Sequence, residues 1–338
     1  MPPPRETPPL PWAPGAFPDL PERAATATLQ AALGKALFYD PVVSGDRQTA
    51  CVTCHSEEWG MSDGLPQSIG QGAGLLAGPG RRGPNVVRRN SQTLWNVAYR
   101  ETLFWDGRAS SLEDQVHFPF AAAAELGRSM ADVLADLRAA PEYVRLFGLA
   151  FPEDADPFTI SHVATAIAEF ERTLTSRRAV YDSYVLGDAA ALSEPQLRGM
   201  SLFAEARCAS CHVPPLFASE RYADRGVPPL PGVTDDGRFE TTQVEADRGT
   251  FKVPTLRNTR DTGPYFHTGG TLLLRDAVRH EADFSASEDG TRTLTDSEID
   301  DVTTFIRQAL LDSSRIPTRP RKVPSGLQLP IDGFDIRR

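Results

Sequence analysis

Residues 51–55 read Cys51-Val52-Thr53-Cys54-His55, and residues 208–212 read Cys208-Ala209-Ser210-Cys211-His212. C-x-x-C-H is the pattern through which c-type haem is attached: the two thiols add across the porphyrin vinyl groups and the adjacent histidine becomes an axial iron ligand. The chain has 4 cysteines, and the two motifs use all of them. A redox C-x-x-C needs no following histidine, and a zinc site would usually bring a second Cys or His pair nearby. Zinc and structural disulfides are the alternatives. The reading is two covalent haem c groups on Cys51, Cys54, Cys208 and Cys211, with His55 and His212 on the irons.

Outward from the motifs, helical patterns lead into each one. Ala24 to Tyr39 precedes the first. Ser193-Glu194-Pro195-Gln196 resembles a capping box opening a helix through Leu197, Met200 and Phe203 into the second. Between them Ser129–Leu137 is helical, and Ile160, Val163, Ile167, Phe170 and Leu174 form an apolar stripe at helical spacing. Thr295-Asp296-Ser297-Glu298 caps a last helix with Ile299, Val302, Phe305, Ile306 and Leu310 on its inner face. Gly60 to Pro84 reads as a loop longer than ordinary connections, hence functional or wrapped around the haem. Val213–Gly249 shows no period, and Arg177–Ala191 reads as a linker. The expected fold is mainly α: two cytochrome-c-like helical domains, each enclosing one haem. The expected segments are an extended Pro-rich arm over 1–22, an N-terminal haem domain over 23–180 and a C-terminal haem domain over 181–338.

Of 338 residues, 40% are hydrophobic and 24% charged, the composition of a folded chain. No apolar run approaches the ~18 residues of a membrane span. The net charge of −10 argues against a nucleic-acid partner. Covalent haem attachment normally takes place outside the cytoplasm, so a periplasmic location is expected, with the export signal trimmed or upstream of this start.

Two further blocks carry a resemblance. One is Asn90-Ser91-Gln92-Thr93-Leu94-Trp95-Asn96-Val97 with Phe104-Trp105-Asp106-Gly107-Arg108-Ala109; the other is Phe251-Lys252-Val253-Pro254-Thr255-Leu256-Arg257-Asn258 with Thr262-Gly263-Pro264-Tyr265-Phe266-His267. With the haem motifs, they resemble the bacterial di-haem cytochrome c peroxidase family, which includes the MauG-like enzymes, from about residue 30 to 310. The resemblance implies that Trp105 lies between the haems, where an unplaced Trp would otherwise read as a core aromatic. It makes Glu125 the distal-pocket acid, a job that peroxide heterolysis requires, against the plain reading of a surface glutamate. Gln115 and Pro119 match further pocket positions, and His267 matches a position near the first pocket. Asn90, Thr262 and Pro264 match a calcium site, though Asn and Thr-x-Pro also occur in ordinary turns.

Residues 56–89 contain no histidine, so the first haem is expected to be open at rest. His162 reads as a packed or surface helix residue, and His117 has no assignment. For the second haem's sixth ligand the family uses Met or Tyr, and neither follows His267 here. Counting without gaps places Glu281 there, with His280 as the fallback and water as the third option. A carboxylate would favour Fe(III) and higher states.

The resemblance implies an enzyme that reduces hydrogen peroxide at the first haem, with electrons from a small cytochrome c or cupredoxin. Its alternative is a MauG-like enzyme that oxidises a protein or organic substrate over distance. A non-catalytic electron carrier is the third reading. Family peroxidases are often dimers, which leaves a homodimer open, with no interface readable from the sequence.

Overall fold

The structure, a computed structural model, describes residues 11–12, 27–314 and 319–333. It is helix-rich, and the sheet among the described residues amounts to two pairs of two-residue strands. By packing, 27–175 and 319–333 form one unit and 11–12 and 176–314 another. Each surrounds its own apolar core.

In the first unit, α1 (Ala27–Tyr39) lies on α6 (Ile160–Glu171). Leu33, Leu37 and Phe38 from one meet Val163, Ile167 and Phe170 from the other. The approach is close because residue 34 is glycine: a Cβ there would fall 1.7 Å from the Ala166 carbonyl oxygen. The motif itself forms a single turn, α2 (Cys51–Cys54), with His55 as its C-cap. Three more helices complete the unit, α3 (Leu112–Ala121), α4 (Met130–Ala139) and α5 (Pro141–Ala150). Side-chain oxygens of Ser111, Ser129 and Thr159 accept backbone N–H bonds at the starts of α3, α4 and α6.

The Gly/Pro-rich stretch after the motif is irregular, as expected, and Arg81 organises it. The residue is 1% exposed. Its guanidinium donates to the carbonyls of Ile69, Gly70, Gly74 and Leu76 at 2.5–2.6 Å and to Thr49 Oγ1 at 3.0 Å. One side chain thereby satisfies four loop carbonyls that secondary structure leaves unpaired. Strand β1 (Leu76–Ala77) belongs to this loop.

In the second unit come α7 (Val180–Val185), α8 (Glu194–Glu205), α9 (Phe239–Thr242), α10 (Leu274–Glu288) and α11 (Asp296–Thr304). Strands β2 (Tyr222–Ala223) and β3 (Phe251–Lys252) pair antiparallel. Helices α8 and α11 repeat the device of α1 and α6: a Cβ on Gly199 would sit 2.0 Å from the Asp301 carbonyl oxygen. The expected caps are present, with Ser193 N–H donating to Gln196 Oε1 at 2.8 Å and Thr295 N–H to Glu298 Oε2 at 2.8 Å. Phe217 centres an aromatic cluster with Tyr181, Phe203, Phe305 and Trp12.

The packing departs from the expected segmentation in three places. Arg177–Ala191 is no free linker: it contains α7, whose Tyr181 and Tyr184 are buried in the second core. The division falls between 175 and 176, and residues 319–333 pack with the first unit. Strand β4 (Ile331–Asp332) runs parallel to β1, and Ser325 Oγ donates to buried Asp40 at 2.6 Å. The proposed arm over 1–22 lies outside the described residues except for Pro11 and Trp12, and the Trp12 indole donates to Tyr181 OH at 2.7 Å.

Candidate functional site

The four cysteines are free and half-buried. Burial pushes the Cys51 and Cys208 thiols up to about 12 and holds Cys54 well above the ordinary range. Among the described residues no group of three or more His, Cys, Asp or Glu is placed to hold a bare metal ion.

Each motif histidine is oriented through Nδ1. His55 Nδ1–H donates to the Met61 carbonyl at 3.1 Å, with Ser91 Oγ at 3.3 Å. His212 Nδ1–H meets the carbonyls of Phe217 at 3.2 Å and Pro254 at 3.1 Å. A backbone acceptor on Nδ1 fixes the tautomer that leaves Nε2 free for a metal. Burial also holds His55 below its usual pKa, which favours the neutral, ligating form. Free thiols and a histidine held through Nδ1 by backbone carbonyls fit haem c at both motifs.

Around the first motif, α3 carries Gln115 and Pro119 one turn apart on one face, and Glu125 follows in the turn after it. Pro119 has no N–H, so the helix cannot pair the Gln115 carbonyl in the usual way. Glu125 is half-buried, and both Cys51 and Cys54 feel its charge. Burial raises its pKa above the usual value near 4.5, and the Arg108 guanidinium opposes that rise. Arg108 lies over the Phe104 ring at 3.5 Å. Trp105 is buried, and its Nε1–H donates to the Asn90 carbonyl at 2.9 Å.

Sequence reasoning passed over Glu171. It is buried at the end of α6, and Oε2 has no hydrogen-bond partner. Burial raises its carboxyl to about 8, with Arg172 opposing and Glu113 reinforcing the rise. Its charge also reaches Cys51. Glu171 lies on the same stripe as Phe170 and Leu174, where a carboxylate reads as a solvated helix end.

In the second unit Glu281 and His280 sit on α10, and both meet Arg225. The Arg225 Nε donates to Glu281 Oε2 at 2.8 Å, and His280 Nε2–H donates to the Arg225 carbonyl at 2.8 Å. The charges of Glu281 and Arg225 both reach Cys208. Buried His267 stacks on Phe251 with centroids 3.5 Å apart. Thr262 Oγ1–H points to the Thr259 carbonyl at 3.4 Å, and Pro264 follows a cis peptide. Asn90, in the first unit, donates from Nδ2 to the Leu65 carbonyl at 2.8 Å. His162 stacks on Phe151 at 3.8 Å and bonds the Pro157 carbonyl at 2.7 Å, a packing role. His117 is exposed.

A helix-rich chain with two such motifs, each with its histidine held by backbone carbonyls, is built as a c-type haem protein. More narrowly, it belongs to the di-haem cytochrome c peroxidase family, whose model matches residues 28–190. The family implies two c-type haems. The chain is 40% identical to methylamine utilization protein MauG of Methylorubrum extorquens over 252 residues, which are 74% of this chain and 67% of that protein. It is 35% identical to cytochrome c551 peroxidase of Pseudomonas aeruginosa over 254 residues, 74% of this chain and 70% of that one. Among solved structures, a MauG-like protein associated with microbial copper homeostasis superposes with a TM-score of 0.75 at 26% identity, covering 90% of this chain and 96% of that chain.

Proposed function

We propose that this protein is a di-haem peroxidase with one haem in each unit, reducing hydrogen peroxide at the motif of Cys51, Cys54 and His55. The observation that carries the reading is Glu125, a half-buried carboxyl of raised pKa whose charge reaches both cysteines of that motif. Haem bound there supplies an iron that passes electrons to peroxide. The protein's part is proton movement. Glu125 takes the proton from one peroxide oxygen and returns it to the other, so that the O–O bond breaks with water as the leaving group. With two electrons and two further protons, each peroxide yields two waters. A pKa raised toward neutrality suits a group that must act as base and then as acid. Gln115 and Pro119 shape the same wall. Trp105, its ring fixed by the Asn90 carbonyl, relays electrons arriving through the haem of Cys208, Cys211 and His212. His267 supports the site as a positioning residue.

A second reading is favoured by two observations: no histidine between 56 and 89, and no Met or Tyr after His267. It is a MauG-like use of peroxide, in which electrons come from a protein or organic substrate rather than a small cytochrome c or cupredoxin. If Glu281 ligates the second iron, its bond from Arg225 makes it a weaker anionic donor than a free carboxylate. Calcium binding, export to the periplasm and a homodimer belong to the same proposal. Among the described residues no helix is long and apolar enough to cross a membrane.

The test is electron paramagnetic resonance of the diferric protein before and after one equivalent of peroxide, repeated on Trp105→Phe. A high-spin signal that peroxide removes is expected in both, with slower spread of oxidising equivalents to the second haem in the variant. Two low-spin signals indifferent to peroxide would replace the enzyme with an electron carrier.

A further inference from the structure

Residues 319–333 are fastened to the first unit at two buried carboxylates. At one, Asp40, 0% exposed, accepts from Ser325 N–H at 3.0 Å, Ser325 Oγ–H at 2.6 Å and Tyr143 OH at 2.8 Å. At the other, Asp332, also 0% exposed, accepts from Ser56 Oγ–H at 2.5 Å. Between them Val323 packs into the core, and backbone bonds run alongside the β1–β4 pair, Ile331 N–H donating to Leu75 O at 2.8 Å and Gly333 N–H to Ala77 O at 3.0 Å.

Ser56 is the residue after His55, and its backbone closes the turn that carries the acceptor of His55. Ser56 N–H donates to Ser62 O at 2.8 Å, and Met61 N–H donates to Ser56 O at 2.8 Å. Met61 O is the oxygen that His55 Nδ1–H meets. The turn is strained at Met61, which is not a glycine and has φ 60°, whereas Gly60 adopts φ 63° freely. An L residue in this region costs about 1–2 kcal/mol, so external contacts must hold the turn in place. Thr93 Oγ–H to Gly60 O at 2.6 Å is one such contact, and Asp332 on Ser56 is another.

We infer that Asp332 is a positioning residue for the first haem: through Ser56 and the 56–62 turn it sets where the Met61 carbonyl meets His55, and so tunes the iron's axial ligand from the far end of the chain. The inference rests on His55 being that ligand. The strength and direction of the bond at Nδ1 govern how basic the imidazole is toward iron.

The experiment uses the full-length holoprotein with Asp332→Asn, Asp332→Glu and Ser56→Ala. Haem content, the resting paramagnetic resonance spectrum and the iron–histidine Raman band of the reduced protein are read together. Asp332→Asn and Ser56→Ala are expected to keep two haems, to move the first haem's signals in the same direction and to leave the second haem's unchanged. Reaction with peroxide should slow by about tenfold, the low end of the range for partners outside the ligand sphere. Asp332→Glu, which keeps the charge, should lie closer to the parent. First-haem signals identical to the parent in Asp332→Asn and Ser56→Ala would overturn the assignment. If Asp332→Asn does not accumulate, Ser56→Ala alone decides. A parent protein without covalent haem would remove the proposal together with the haem reading, and haem content separates that outcome from the others.

Discussion

In the proposed reaction a carboxyl must accept a proton and give it back, and burial raises the pKa of Glu125 in the direction that suits both halves. Glu125→Gln is expected to retain both haems and to slow the peroxide reaction by roughly 10²–10⁴-fold, the usual worth of a general acid–base group. In the parent, the rate should climb with pH as Glu125 loses its proton, with a midpoint above the usual 4.5; stopped-flow traces across pH give both results. The variant should lose that rise. Glu125 and Trp105 could be singled out in advance because they sit at fixed distances from recognisable motifs, and their roles remain proposals. Arg81, Glu171 and Asp332 were not. What makes each of them matter is a partner far away in the chain or an absence of water, and a single sequence states neither.

Among the elements, α1 on α6 and α8 on α11 use one solution twice. A helix ahead of each haem motif carries a glycine where another helix backbone presses in, Gly34 beneath Ala166 and Gly199 beneath Asp301. No motif beyond C-x-x-C-H betrays this repetition, since the glycines stand at different distances from their cysteines. Gly34→Ala and Gly199→Ala are each expected to destabilise by about 1–3 kcal/mol, the cost of overpacking, although alanine is the better helix former. Denaturant titration of each holoprotein checks this; unchanged midpoints would mean the helices separate freely. Helices with a Ser or Thr cap and an apolar stripe were readable in advance. Helix α7 was not, being too short to show a period between residues that look like linker.

For the molecule as a whole, pH acts against a buried acid. Glu171 has its pKa raised from 4.5 to about 8, so folding favours its protonated form. Its contribution to stability is complete below pH ~4.5 and is lost as pH rises through 8. Melting temperature should therefore fall as pH rises from about 4.5 to about 8 and level off above that. Glu171→Gln, permanently neutral, should be the more stable protein at pH 9, by on the order of a few kcal/mol; equal pH profiles would show that Glu171 is solvated. Two units were foreseeable from two motifs. That residues 319–333 complete the first unit was not, because a strand of two residues leaves no pattern. The order of biosynthesis gives this tail a further consequence. Ser56 and Asp332 are 276 positions apart, so at about 5–20 residues per second the carboxylate is made roughly 15–55 s after the hydroxyl it binds. During that interval the nascent chain offers Cys51 and Cys54 on a loosely held turn. Docking of residues 319–333 is then the last step to close on that turn, and it acts as a latch.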